Sequence, residues 1–216
     1  GTRAGIVNQD GKLIASRYQE IKQFYPKPGW VEQDPIEIVE SVSNTVGKLL
    51  DECKIQFSSI TSVGITNQRE TIIAWDKTTG KPVYNAIVWQ CRRTTDYCNL
   101  LIDKGFSQTI KNITGLTIDP YFSATKISWI LDNVPGARTL ADNGSLAFGT
   151  VDSWLVWNLS HGSSHIIDIT NASRTMLFDI NKLEWSDELL NIMNIPKSML
   201  PEVVPSSGEL ANVSFG

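Results

Sequence analysis

The run Gly64-Ile65-Thr66-Asn67-Gln68-Arg69-Glu70-Thr71 gathers amide, guanidinium and carboxylate groups between two apolar stretches, Ile60 to Ile65 and Ile72 to Trp75. Arg69 and Glu70 set a fork of hydrogen-bond donors beside a strong acceptor, which is the chemistry needed to grip one small polar ligand. In extended backbone adjacent side chains leave on opposite faces, so the pair serves one ligand only if the chain bends there. The same run also fits a solvated hairpin tip carrying a surface ion pair. These residues alone leave both readings open.

A second polar cluster, Gln90-Cys91-Arg92-Arg93-Thr94, follows the short apolar run Ala86 to Trp89. Ligands gather at strand ends in α/β sheets, so the ends near Arg69 and Trp89 are expected to face one pocket. Taken singly, Trp89 in a chain with seven tryptophans fits the core, and Tyr121 after Pro120 fits turn packing. Arg92 and Arg93 fit the lining of an anion path and a solvated helix N-terminal region equally well and stay outside the candidate site. His161 and His165 lie in a polar stretch and read as surface histidines, and no metal cluster is visible.

The elements that would carry these groups follow from pattern. Arg3–Val7 and Lys12–Ser16 flank Asn8-Gln9-Asp10-Gly11, a tight-turn signal, and predict a hairpin. A third extended segment, Arg17 to Tyr25, would complete an antiparallel three-stranded meander. Asp34-Pro35 places a capping carboxylate before a proline at the first helical position, and Ile36, Val39, Val42, Val46, Leu49, Leu50 and Cys53 follow at helical spacing. That helix leads to Ile60–Ile65, read as a buried strand, giving an α/β order. Residues 95–143 read as a helical insertion, Leu146–Gly149 as a strand, and Thr150 or Asp152 as the cap of a helix bearing Trp154, Leu155 and Trp157. A short apolar strand near Ile166 and a helix from Ser186 close the pattern.

With 216 residues, 41% of them hydrophobic, the chain can bury a sizeable core. Its formal charge of −4 is dispersed, which argues against a nucleic-acid partner. No apolar run approaches the roughly 20 residues of a membrane span, and no secretory signal is visible, so the cytoplasm is the expected location. Cys53, Cys91 and Cys98 are odd in number and lack Cys-x-x-Cys spacing, so they read as plain thiols. The sequons at Asn112, Asn158, Asn171 and Asn212 are treated as chance matches.

Several stretches together resemble one family. These are Gly64–Thr71, Tyr25-Pro26-Lys27-Pro28-Gly29-Trp30-Val31-Glu32, Asn85–Thr94, Asp119-Pro120-Tyr121-Phe122-Ser123-Ala124-Thr125-Lys126 and Thr170–Leu177. They are similar to the glycerol-phosphorylating branch of the FGGY carbohydrate kinases, and Tyr121 to Asn133 has the spacing of that family's first signature. The resemblance implies an α/β chain of the actin-like, ribonuclease-H-like ATPase fold. It further implies ATP and Mg2+ as cofactors, glycerol as substrate, and a homo-oligomer as the intact enzyme. Arg69, Glu70 and Tyr121 would hydrogen-bond glycerol hydroxyls while Trp89 packs against the carbon chain. Residues 1–216 would then be the polyol-binding N-terminal domain.

Two departures qualify what the resemblance implies. The family's Asp-Gln-Gly-Thr-Thr-Ser-like phosphate loop is represented only by its tail, so Thr2 and Arg3 are the candidate phosphate contacts. The C-terminal domain, with a Gly-Asp-Gln-Gln-like stretch bearing the catalytic base, has no counterpart here. The chain alone is therefore expected to be inactive.

Overall fold

The computed structural model describes residues 1–214; the last two positions of the expected 1–216 domain lie outside the described residues. The chain opens with β1 (Thr2–Val7) and β2 (Leu13–Gln19), an antiparallel hairpin closed through Asn8 and Gly11. This sheet has two strands rather than the expected three, because β2 ends at Gln19 and the chain beyond makes only one bridge, Phe24 with Glu32.

β3 (Glu32–Gln33) precedes α1 (Pro35–Cys53). The Asp34 carboxylate accepts from the Ile36 amide, satisfying an amide the helix itself cannot, with Pro35 at the first turn. The buried stripe of α1 is Ile38, Ser41, Thr45 and Leu49. Val42, Val46 and Leu50, expected in the core, are half-buried because they line a trough of about 530 Å³ that α1 shares with β1 and residues 60–68.

Ile60–Ile65 forms no strand. Its backbone pairs with no neighbouring strand, and most of it is exposed along that trough, so apolar composition alone does not make it β. The next apolar run does pair. β4 (Ile72–Asp76), β5 (Ala86–Ile87) and β6 (Leu146–Thr150) join β3 in a four-stranded antiparallel sheet ordered β3-β5-β4-β6.

Alternation along β4 divides the interior in two. Ile72 and Ala74 pack with Ile87, Phe148, Ile127 and Ile130, whereas Ile73 and Trp75 pack with Ile38, Ala147, Trp154 and Leu155. Each of the isoleucine, leucine and phenylalanine side chains among them contributes about 1.5–3 kcal/mol through burial. Gly149 permits the close approach on the second face, since a Cβ there would lie 2.5 Å from Ser153 Cβ and 3.0 Å from the Trp75 ring.

Between β5 and β6 run α2 (Thr95–Asp103), α3 (Ser107–Thr114), α4 (Ser123–Asn133) and α5 (Ala137–Asp142). α6 (Val151–Leu159), β7 (Ile166–Asp168) and α7 (Ile169–Ala172) follow β6. The remaining elements are β8 (Phe178–Asp179), β9 (Glu184–Trp185), α8 (Asp187–Met193) and β10 (Glu202–Val204), which pairs in parallel with β7. No helix among the described residues is long and apolar enough to cross a membrane.

Candidate polyol-binding site

The bend expected between Arg69 and Glu70 is realised at Glu70, whose φ of 64° is left-handed, a conformation a non-glycine residue adopts only at a cost. It turns the Glu70 side chain inward, leaving the residue 2% exposed, while Arg69 stays in solvent. The Arg69 guanidinium forms no hydrogen bond or ion pair among the described residues, so it stands free at the rim.

Glu70 is held by Arg174, whose Nε lies 2.7 Å from Oε1. Arg174 was not singled out from sequence, because its partner is 104 positions away. The sole signal was its place within the family-like stretch Thr170–Leu177. Its guanidinium also lies over the rings of Tyr121, at 5.8 Å, and Phe122, at 5.0 Å.

Trp89 and Tyr121 meet edge to face with ring centroids 5.5 Å apart. The Trp89 amide donates to Thr71 Oγ1, and Ser123 Oγ donates to the Glu70 carbonyl. Strand β4, the end of β5 and the N-terminus of α4 therefore deliver Glu70, Trp89 and Tyr121 to one continuous surface, linked through Arg174. Trp89 remains 36% exposed, available to a ligand rather than consumed by the core. A buried carboxylate, the partly exposed Arg174 guanidinium, a phenol and an indole face on that surface can offer a polyol acceptors, donors and an apolar wall.

The segment ahead of Glu70 is tied down by polar bonds. Asn67 Nδ2 donates to Asp152 Oδ1 at 2.6 Å, and Gln68 Nε2 donates to Gln33 Oε1. Asp152 also accepts from Thr150 Oγ1, and burial pushes its carboxyl up to about 6 against that hydrogen bond.

Thr2 and Arg3 lie at the start of β1 and line the trough together with Asn67 and Gln68. The Thr2 hydroxyl shares a 2.6 Å hydrogen bond with Ser41 Oγ, and Arg3 is exposed with its guanidinium 5.8 Å from the Tyr18 ring centroid. No direct contact joins either residue to Glu70, Trp89 or Tyr121.

Arg93 is not solvated: its side chain is fully buried, 2.5 Å from Glu32 Oε1, with its guanidinium 3.9 Å from the Trp30 ring and 4.5 Å from Trp129. Burial alone would raise the Glu32 carboxyl, but hydrogen bonds from Asn85, Arg93 and Tyr84 outweigh it and hold it low. His165 is not a surface histidine either. It contacts the Phe148 carbonyl through Nε2 and meets Trp75 edge-on at 5.1 Å, and burial lowers it to about 4.

Comparison with known proteins adds sequence and structural likeness. The FGGY family of carbohydrate kinases, N-terminal domain, matches residues 1–215. Glycerol kinase 2 of Thermotoga maritima and the glycerol kinase of Clostridium botulinum strain Hall are each 55% identical over 218 aligned positions. Those alignments take in all of this chain and 44% of each relative. Plasmodium falciparum glycerol kinase with ADP superposes with a TM-score of 0.92 at 37% identity, covering 98% of this chain and 42% of that one. A Lactobacillus acidophilus gluconate kinase superposes with a TM-score of 0.87 at 21% identity, covering 98% and 41%, a likeness of fold alone.

Proposed function

Because the chain belongs to the FGGY family of carbohydrate kinases, as its N-terminal domain, we propose that it is the polyol-gripping part of an ATP-dependent glycerol kinase. In the intact enzyme the γ-phosphate of ATP passes to a terminal hydroxyl of glycerol, giving glycerol 3-phosphate. The observation that carries this reading is the contact chain Glu70–Arg174–Tyr121–Trp89, which links three of the four expected polyol ligands, while Arg69 stays in solvent outside it. Identity of 55% to glycerol kinases over the whole chain supports glycerol rather than another polyol.

Each residue has a role set by its chemistry. The Glu70 carboxylate accepts from hydroxyls, Arg69 and Tyr121 add hydrogen bonds, and Trp89 covers the C–H edge. Arg3, exposed at the trough, is assigned to phosphate contact. Thr2 takes a lesser part there, since Ser41 already engages its hydroxyl.

ATP is taken as its magnesium complex. Among the described residues no three His, Cys, Asp or Glu side chains come together as a metal-holding group. The proton acceptor and the adenine pocket are assigned to the part of the relatives' length that this chain does not span, and self-association is assigned to the intact enzyme. Phosphoryl transfer requires those parts in place together, so the 216 residues alone are inactive.

The test is Mg-ATP-dependent phosphorylation of glycerol by these 216 residues and by the same chain extended to the length of its relatives. Activity confined to the extended protein supports the reading. Activity in the short chain overturns the division of labour, and activity in neither overturns the glycerol assignment.

A further inference from the structure

Lys126 is fully buried, with 0% exposure, at the fourth position of α4. Its Nζ donates to the carbonyls of Pro120 at 3.1 Å and Tyr121 at 2.5 Å, and it forms no ion pair among the described residues. Helical side chains lean toward the N-terminus, so the lysine stem runs back along α4 to the turn preceding it. Two effects oppose an ammonium there: burial, which drives its pKa down to about 7 against the pull of the Glu70 and Asp119 carboxylates, and the α4 dipole, which disfavours a cation at this end. The cost of burying a cation means that a gain in stability is not what singles the residue out.

Its position does. The Asp119–Phe122 turn carries Tyr121, and it is held from several sides. Asp119 Oδ1 accepts from the Tyr121 amide and from Arg92, and the Phe122 amide donates to the Asp119 carbonyl. Lys126 is the member that grips this turn from inside the core.

Resting on the polyol-kinase reading above, we infer that Lys126 is a positioning residue: its Nζ clamps the Pro120 and Tyr121 carbonyls and thereby fixes the Tyr121 ring against Trp89. Loss of the clamp loosens a substrate-binding phenol without touching substrate itself.

The experiment compares Lys126→Met with Lys126→Gln in the full-length enzyme. Lys126→Met raises KM for glycerol on the order of tenfold or more while KM for ATP and kcat stay within about threefold, because the disturbed contact serves ground and transition state alike. Lys126→Gln keeps two N–H donors for the two carbonyls, though its arm is shorter, and recovers most of the glycerol KM. Amide hydrogen exchange reads the clamp directly: in Lys126→Met, Tyr121 and Phe122 exchange about tenfold faster or more, and the C-terminal half of α4 is unchanged.

Unchanged glycerol KM with unchanged exchange overturns the proposal. So does uniform acceleration along all of α4 with matching losses for ATP, which marks a purely structural lysine. A wild-type enzyme that phosphorylates no glycerol overturns the functional reading instead, and the exchange pattern at Tyr121 and Phe122 still decides for or against the clamp.

Discussion

Glu70 Oε1 and Arg174 Nε meet at 2.7 Å across 104 positions of sequence, and both lie beside left-handed backbone, at Glu70 itself (φ 64°) and at Met176 (φ 64°). Two kinked segments thus aim opposite charges at one another, with the carboxylate side chain only 3% exposed and the guanidinium 32% exposed. Strained residues that persist are held by their surroundings, and this ion pair ties the two segments together.

Replacing Arg174 with alanine leaves a buried carboxylate without its partner, which costs about 2 kcal/mol, less than a fully buried pair would because Arg174 is partly solvated. A double-mutant cycle by urea unfolding checks the pairing: Glu70→Gln combined with Arg174→Ala costs less than the two changes added. Strict additivity would show that the pair does not hold the bend.

What sequence reveals here and what it hides divide along one physical line. Asp34-Pro35 announces α1 and the runs at Ile72 and Leu146 announce β4 and β6, since each of these is local, whereas the adjacency of Arg69 and Glu70 calls for a bend only if one ligand takes both. Ile60–Ile65 misleads because a strand requires a partner that composition does not supply. Arg174, Arg93 and His165 are misread or missed because their environments are built by residues far along the chain. Polar side chains whose partners are remote look like surface.

Arg93 yields a second prediction. It is stacked on Trp30 and Trp129 while pairing with Glu32, so Arg93→Met leaves Glu32 charged and buried and costs about 3–5 kcal/mol. Arg93→Lys rescues little, because an ammonium neither forks nor stacks as a planar guanidinium does. Urea unfolding of both variants checks this, and near-wild-type stability of the lysine variant would remove the stacking argument.

Two buried titrating groups oppose each other in mild acid. His165 is lowered from 6.5 to about 4, so the unfolded chain takes its proton first, and this contribution to stability is full above pH 6.5 and is lost as pH falls toward 4. Asp152 is raised from 3.8 to about 6, so the folded chain keeps its proton longer, and this contribution is full below pH 3.8 and is lost as pH rises through 6. The two shifts are similar in size, each worth about 3 kcal/mol at most. His165→Gln therefore tilts the stability profile between pH 4 and 6 downward with rising pH relative to wild type, and Asp152→Asn tilts it upward. Unfolding midpoints measured across that range read both slopes.

The last prediction concerns selectivity at the Trp89–Tyr121 wall, where the rings sit 5.5 Å apart. On the proposed polyol assignment, a diol lacking one glycerol hydroxyl would leave Glu70 or Tyr121 in the full-length enzyme without that partner, whereas an added methylene would only crowd the indole. Omission is penalised by about 10⁴-fold in kcat/KM and the extra methylene by about 10- to 200-fold. Tyr121→Phe shrinks the first penalty, since the site then has one fewer polar group to leave unpaired. Trp89→Leu shrinks the second, since a smaller wall makes room. Competition between glycerol, 1,2-propanediol and 1,2,4-butanetriol measures both ratios, and a tyrosine variant that discriminates against the diol as strongly as wild type would take Tyr121 out of hydroxyl recognition.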